Sequence, residues 1–185
     1  MEIILGVFLG IGLSAACGFR VFIPLLALSI AALSGHVTLS QGFQWIGTYP
    51  ALMVFAAATV LEIAAYYIPW LDNMIDSIAA PAAVVAGTLI AASSIVHMSP
   101  LLKWVLAIIA GGGTAAIFHG TTAFIRAGST ATTGGLSNPV IATAELGIAS
   151  GLSILAIVLP LLCGLIVLTL LVYIAWKGFR KFLKC

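Results

Sequence analysis

The sequence predicts an all-α fold, a polytopic bundle of transmembrane helices, and three observations carry that expectation. Hydrophobic residues make up 63% of the 185-residue chain and charged residues only 6%. Apolar runs long enough to span a bilayer recur between short polar interruptions. The mean hydropathy is +1.27, whereas a soluble domain carries about 25% charged residues. Seven basic and five acidic side chains are too few to cover a water-facing surface of this length. The solvent for this chain is lipid.

A span needs about 20 apolar residues to cross about 30 Å of hydrocarbon. The candidates are residues 3–33, 50–68, 82–98, 104–126, 139–158 and 160–176. About six membrane segments are therefore expected, in a single domain over 1–176 followed by a basic tail over 177–185. The first candidate is too long for one straight crossing, and Cys17-Gly18-Phe19-Arg20 with Pro24 interrupts it. Its LSAAC at 13–17 loosely matches a lipoprotein cleavage site, but no Lys or Arg precedes it and apolar sequence runs on past Cys17, so it is read as structure. The last two candidates form one apolar run that would measure about 57 Å as a single helix, with Gly147, Gly151 and Pro160 as its only breaks. At least one broken or re-entrant helix is expected.

The ending KGFRKFLKC sets Lys177, Arg180, Lys181 and Lys184 just beyond the last span. The positive-inside rule puts that tail in the cytoplasm, and the expected location is the cell inner (plasma) membrane. Six spans would put the N-terminus on the same side, with Lys103 outside. Gly6 with Gly10, and Gly147 with Gly151, have the small-xxx-small spacing of closely packed membrane helices. Gly111 to Gly113 have no following Lys-Ser/Thr, so they read as packing positions and not as a phosphate loop.

No dinucleotide fingerprint, zinc spacing or nucleophile elbow appears. Cys17, Cys163 and Cys185 are scattered and form neither a metal set nor a disulfide framework. No catalytic residue, metal or cofactor is assigned, and nucleic acid is not an expected partner. The partners expected are the bilayer and a small solute or lipid headgroup, with a homo-oligomer left open.

The informative residues are the charges inside the spans: Arg20, Glu62, Asp72, Asp76, Arg126 and Glu145, with His119 as a further titratable group. A charge at the bilayer centre costs at least about 2.5–3.5 kcal/mol, so each is a site candidate by default. Two arginines face four carboxylates, an excess that water, a proton or a cation must relieve. In YIPWLDNMID, Pro69 suits a first helical turn, with Asp72 and then Asp76 on one face. They read as wet aspartates of an interfacial helix, or as a cation or proton site at a cavity mouth. Glu62 has Thr59 and Tyr66 on its face and no easy route to water, so it should either pair with an arginine, Arg20 being the candidate, or hold its proton more tightly than a free carboxyl.

The stretch FHGTTAFIRAGSTATTGGLSNPVIATAE, residues 118–145, concentrates the polarity. His119, Thr122 and Arg126 fall on one helical stripe. GSTATTGGLS, with Ser129 and Thr130, reads as unwound backbone, after which Ser137 or Asn138 caps a new helix from Pro139. Irregular backbone at membrane depth must line water or be buried in protein, and broken helices form substrate sites in transporters. An ordinary loop outside the bilayer is the plainer alternative. GFRVFIP and FIRAGST each join an aromatic and an arginine to a helix disruption, a hint of an internal repeat.

GFRVFIPLLAL, EIAAYYIPWLDNMID and HGTTAFIRAGSTATTGGLSNP before a glutamate occur here in an order that resembles one bacterial membrane family. That family is known as domain of unknown function four thousand one hundred and twenty-six. The resemblance spans nearly the whole chain and implies a small multi-pass membrane protein with these polar positions as its signature. It brings no substrate or reaction.

The expectation is a transporter or channel for a small polar or anionic solute. Arg20, Arg126, His119, Thr122, Ser129, Thr130 and Asn138 would bind it, and Glu62, Glu145, Asp72 and Asp76 would balance charge or relay protons. A lipid-phosphate translocase or headgroup binder is one alternative. An intramembrane enzyme built on His119 and Glu145 lacks a nucleophile or metal set. A structural or partner-binding membrane protein, its charges acting as staples, is the last.

Overall fold

The computed structural model describes residues 2–182, with the side chains of residues 69–74, 76, 77, 178, 179, 181 and 182 outside the description. The chain is helical, and its helices are α1 (Glu2–Phe19), α2 (Phe22–Leu33), α3 (Tyr49–Tyr66), α4 (Pro69–Ser94), α5 (Pro100–Leu106), α6 (Gly113–Thr133), α7 (Asn138–Val158) and α8 (Pro160–Phe182). No strand occurs among the described residues. A π-helical segment, Ala107–Gly112, joins α5 to α6 without interruption. Among the described residues, five stretches are long and apolar enough to cross a membrane: Glu2–Phe19, Tyr49–Tyr66, Pro100–Thr133, Asn138–Val158 and Pro160–Lys177. Phe22–Leu33 and Ile78–Ser94 are shorter apolar helices. The protein is an integral membrane protein with the all-α architecture its composition demands.

The expected interruption of the first apolar stretch has a local cause. Pro24 has no N–H to offer the carbonyl of Arg20, and the N–H groups of Val21 and Phe22 turn away to the carboxylate of Glu62. Helix α1 therefore ends at Phe19 and α2 starts at Phe22. The last apolar run breaks at Leu159, whose φ and ψ are −134 and 66. Pro160 then opens α8, where a missing N–H costs nothing.

Glu2, His36, His97 and Pro160 line one recess, so α1 starts, α2 returns, α4 ends and α8 starts at the same end of the bundle. From there α8 runs 23 residues, about 35 Å at 1.5 Å per residue. Glu2 and the basic end of α8 thus lie at opposite ends of the bundle. This corrects the expectation that both termini share a side: α1 and α2 form a hairpin where one crossing was counted.

Helix α1 is the centre of the bundle, and its glycines let neighbours touch its backbone. A Cβ at Gly10 would lie 3.0 Å from Ala91 Cα, and one at Gly12 would lie 2.8 Å from Cys163 Sγ. Gly6 abuts the Ser94 carbonyl, and Gly18 abuts Phe118. Gly87 and Gly111 face each other across α4 and the π segment, where a Cβ on Gly111 would be 2.5 Å from the Gly87 carbonyl oxygen. Cys17 and Cys163 are buried free thiols, packing residues as expected. Gly147 and Gly151 depart from expectation. Nothing among the described residues comes within 4 Å of a Cβ at either, because their stripe of α7 faces outward.

The polar stretch after Arg126 is also corrected. It is not unwound, since α6 continues through Thr133. The threonine hydroxyls explain why: Thr132 donates to the Gly128 carbonyl at 2.9 Å and Thr133 to the Ser129 carbonyl at 2.8 Å, so polar side chains are satisfied without opening the helix. The reversal is made by Gly134 and Gly135, with φ of 64 and 88, a left-handed helix end that glycine adopts without penalty. Asn138 then opens α7, its Nδ2 donating to Thr130 Oγ1 at 3.2 Å.

Candidate functional site

The α1–α2 break and three helices bring a buried charged or aromatic side chain to a common centre. Arg20 from the α1–α2 break is 2% exposed, Arg126 of α6 4%, Glu145 of α7 3% and Tyr66 of α3 4%. Arg126 grips Glu145 with two parallel bonds: Nε donates to Oε1 at 2.9 Å, and Nη2 donates to Oε2. This is the bidentate geometry that suits guanidinium to carboxylate. Arg20 Nη2 donates to the Ala142 carbonyl at 2.9 Å and lies 3.5 Å from Glu145 Oε2. One carboxylate therefore serves two arginines.

Both guanidiniums also rest on the ring of Tyr66, with Arg20 Cζ 3.7 Å and Arg126 Cζ 4.4 Å from its centroid. The negative face of an aromatic ring attracts cations, the more so when water is absent. Tyr66 and Glu145 together hold two like charges close that would otherwise separate.

Glu62, one turn before Tyr66, completes the group. Its Oε1 accepts from the Val21 N–H at 2.8 Å and its Oε2 from the Phe22 N–H at 3.1 Å. A carboxylate at the N-terminus of α2 meets unpaired N–H groups and the positive end of the helix dipole. The expected side-chain pairing of Arg20 with Glu62 is thus replaced by backbone capping beside Arg20. Two guanidiniums and two carboxylates leave the described centre formally neutral. Asp72 and Asp76, the other half of the expected acidic excess, have side chains outside the described residues.

The remaining expected residues divide. His119 and Thr122 are buried on the same face of α6 as Arg126, but the Thr122 hydroxyl donates to the His119 carbonyl at 2.9 Å and is committed to its own helix. The backbone of His119 sits against Gly18. Ser129 and Thr130 lie one turn beyond Arg126, between the cluster and the α6–α7 turn, and Asn138 joins Thr130 there. The Ser129 hydroxyl is buried with no hydrogen-bond partner among the described residues. Tyr66 is the site residue that sequence reasoning did not single out; its signal was its place four residues after a buried Glu. The Ala142 carbonyl left no signal at all.

The cluster lies away from the Glu2 end of the bundle. Glu145 stands 13 residues before the end of α7, about 20 Å from the Glu2 end, and Arg20 lies about 27 Å down α1. Both distances place it in the half nearer the basic tail. Two recesses are lined by other side chains, Glu62 lines a third, and Arg20, Arg126 and Glu145 face one another. No three His, Cys, Asp or Glu side chains converge among the described residues.

This cluster ties together residues from Arg20 to Glu145, and a family model matches the chain across all of them. The chain belongs to the family described as Domain of unknown function (DUF4126). The match covers residues 7–180, and so takes in the whole of the DUF4126 centre. No curated protein and no solved structure matches the chain.

Proposed function

We propose that this DUF4126 protein moves a small anionic solute across the inner membrane, with Arg20 and Arg126 as the binding pair and the tail of α8 in the cytoplasm. One observation carries the reading. Arg20, at 2% exposure, keeps Nε and Nη1 without hydrogen-bond partners among the described residues. Guanidinium donors left unmet in an apolar interior are costly, and a carboxylate or phosphate oxygen is the acceptor that suits them. Glu145 then acts as the resident carboxylate that holds both arginines between solutes, with Glu62 completing the charge balance. Ser129, Thr130 and Asn138 form a polar approach from the tail side, and His119 is the nearest further titratable side chain on α6.

Charge balance adds a condition. The four described groups sum to zero, so one entering anion leaves an uncompensated buried charge unless a proton or cation accompanies it. Transport by this route is therefore coupled to a co-ion, with Glu145 or His119 as its acceptor.

The test is uptake of carboxylates and phosphates into proteoliposomes. Arg20→Gln, and the charge-neutral pair Arg126→Gln with Glu145→Gln, abolish uptake while Gly151→Ala retains it. If both arginine variants carry every solute as well as wild type, the reading is wrong. The mutual pairing of the charges favours a second reading, in which they only staple helices together; lost stability with unchanged uptake selects it. Lipid flip-flop in the same vesicles separates the phosphate of a lipid headgroup from a free anion.

A further inference from the structure

A cleft of about 660 Å³ opens on the side of the bundle between α2, α3 and α4. Phe22, Ala58, Leu61, Ala65, Ile78 and Ala79 are among its walls, and Glu62 is the one ionisable side chain among its described lining residues. We propose that this cleft is a binding site for one acyl chain of a bilayer phospholipid, drawn from the leaflet on the side of the basic tail.

Three features select hydrocarbon over water or a polar solute. The described lining offers almost nothing to hydrogen-bond, and an apolar cavity of this kind stays dry because a water needs two to four polar partners. Glu62 does not alter this, since both its oxygens are already engaged by the Val21 and Phe22 amides. The cleft is also continuous with the membrane-facing surface: Leu61 and Ile78 are each 69% exposed at its edges. Alanines at positions 58, 65, 79 and 82 keep it open where larger residues would let α3 and α4 close.

Its length fits within one leaflet. Along α3 the lining runs from Ala58 to Ala65, with Ile68 just past the helix end, about 11 Å at 1.5 Å per residue. Half of a hydrocarbon core is about 15 Å, so a segment of one acyl chain fills it. Ala58 already lies about 14 Å down α3, so the cleft occupies the half of the bundle that also holds the arginine cluster. The inference is independent of solute transport, because no arginine contact enters it.

The experiment uses full-length protein in nanodiscs containing a phosphatidylcholine with a diazirine on one acyl chain. After irradiation, adducts are mapped by mass spectrometry. Adducts concentrate on Ala58, Leu61, Ala65 and Ile78, above the level on exposed α8 residues such as Leu161 and Val172. In Ala65→Phe, and separately in Ala79→Leu, cleft adducts fall to the α8 level while α8 labelling is unchanged. Equal labelling of cleft and α8 in wild type overturns the proposal. So does full cleft labelling in a folded filled variant.

Discussion

Replacing Glu145 by Gln tests the cluster most directly, because one carboxylate contacts two guanidiniums. The amide keeps the shape but removes the charge that meets Arg126 Nε at 2.9 Å and Arg20 Nη2 at 3.5 Å. It also turns an acceptor into a donor facing one of them. Breaking a buried pair by removing one partner costs about 3–5 kcal/mol, since the other charge is left uncompensated. Glu145 is 3% exposed, so solvent offers little relief and the full range applies. Removing Arg126 as well, as Arg126→Gln with Glu145→Gln, restores balance between Arg20 and Glu62, and the double variant should lose about 2 kcal/mol less than the summed singles. The assay is reversible unfolding in bicelles, with a double-mutant cycle over the four proteins. A Glu145→Gln variant within about 0.5 kcal/mol of wild type, the range of an ordinary surface change, refutes the claim that these charges depend on one another.

Tyr66→Leu removes the ring beneath both guanidiniums and should cost about 2 kcal/mol or more, from two desolvated cation–π contacts, read in the same unfolding assay. Gly18→Ala drives a methyl into Phe118 and the Ala115 carbonyl, 2.9 Å away; overpacking of about 1–3 kcal/mol is expected, whereas Gly151→Ala, with open space around it, should be neutral or stabilising. Gly134→Ala forces a side chain into φ 64 and should cost about 1 kcal/mol, visible as faster amide exchange at the α6–α7 turn and not at the α1–α2 break.

The architecture was legible because lipid imposes a simple code: apolar runs of spanning length, interrupted by proline, glycine and charge. Pro24 and Pro160 marked true breaks for the reason their chemistry gives. Arg20, Glu62, Arg126 and Glu145 were legible as a group because none of them can be left alone in hydrocarbon. Their pairing was not. Which carboxylate meets which guanidinium depends on how α3 and α7 lie about α1, and spacing along one helix says nothing of that. GSTATT misled because its composition resembles a loop, whereas hydroxyls that bond back to the preceding turn let a helix continue. The Gly147 and Gly151 spacing misled differently: it reports a surface that backbones can approach, not which side of α7 has a neighbour.

The π segment at Ala107–Gly112 has a further consequence for α6. A π turn holds the equivalent of one inserted residue, and one residue of an α-helix is about 100° of rotation. The azimuth of everything downstream, Arg126 included, is therefore indexed by this single widened turn. Its glycines, wedged against Gly87 and Thr88, fix that rotational phase from a distance. The guanidinium points inward by virtue of a dislocation in the helix four turns away, much as a keyway sets the angle of a shaft.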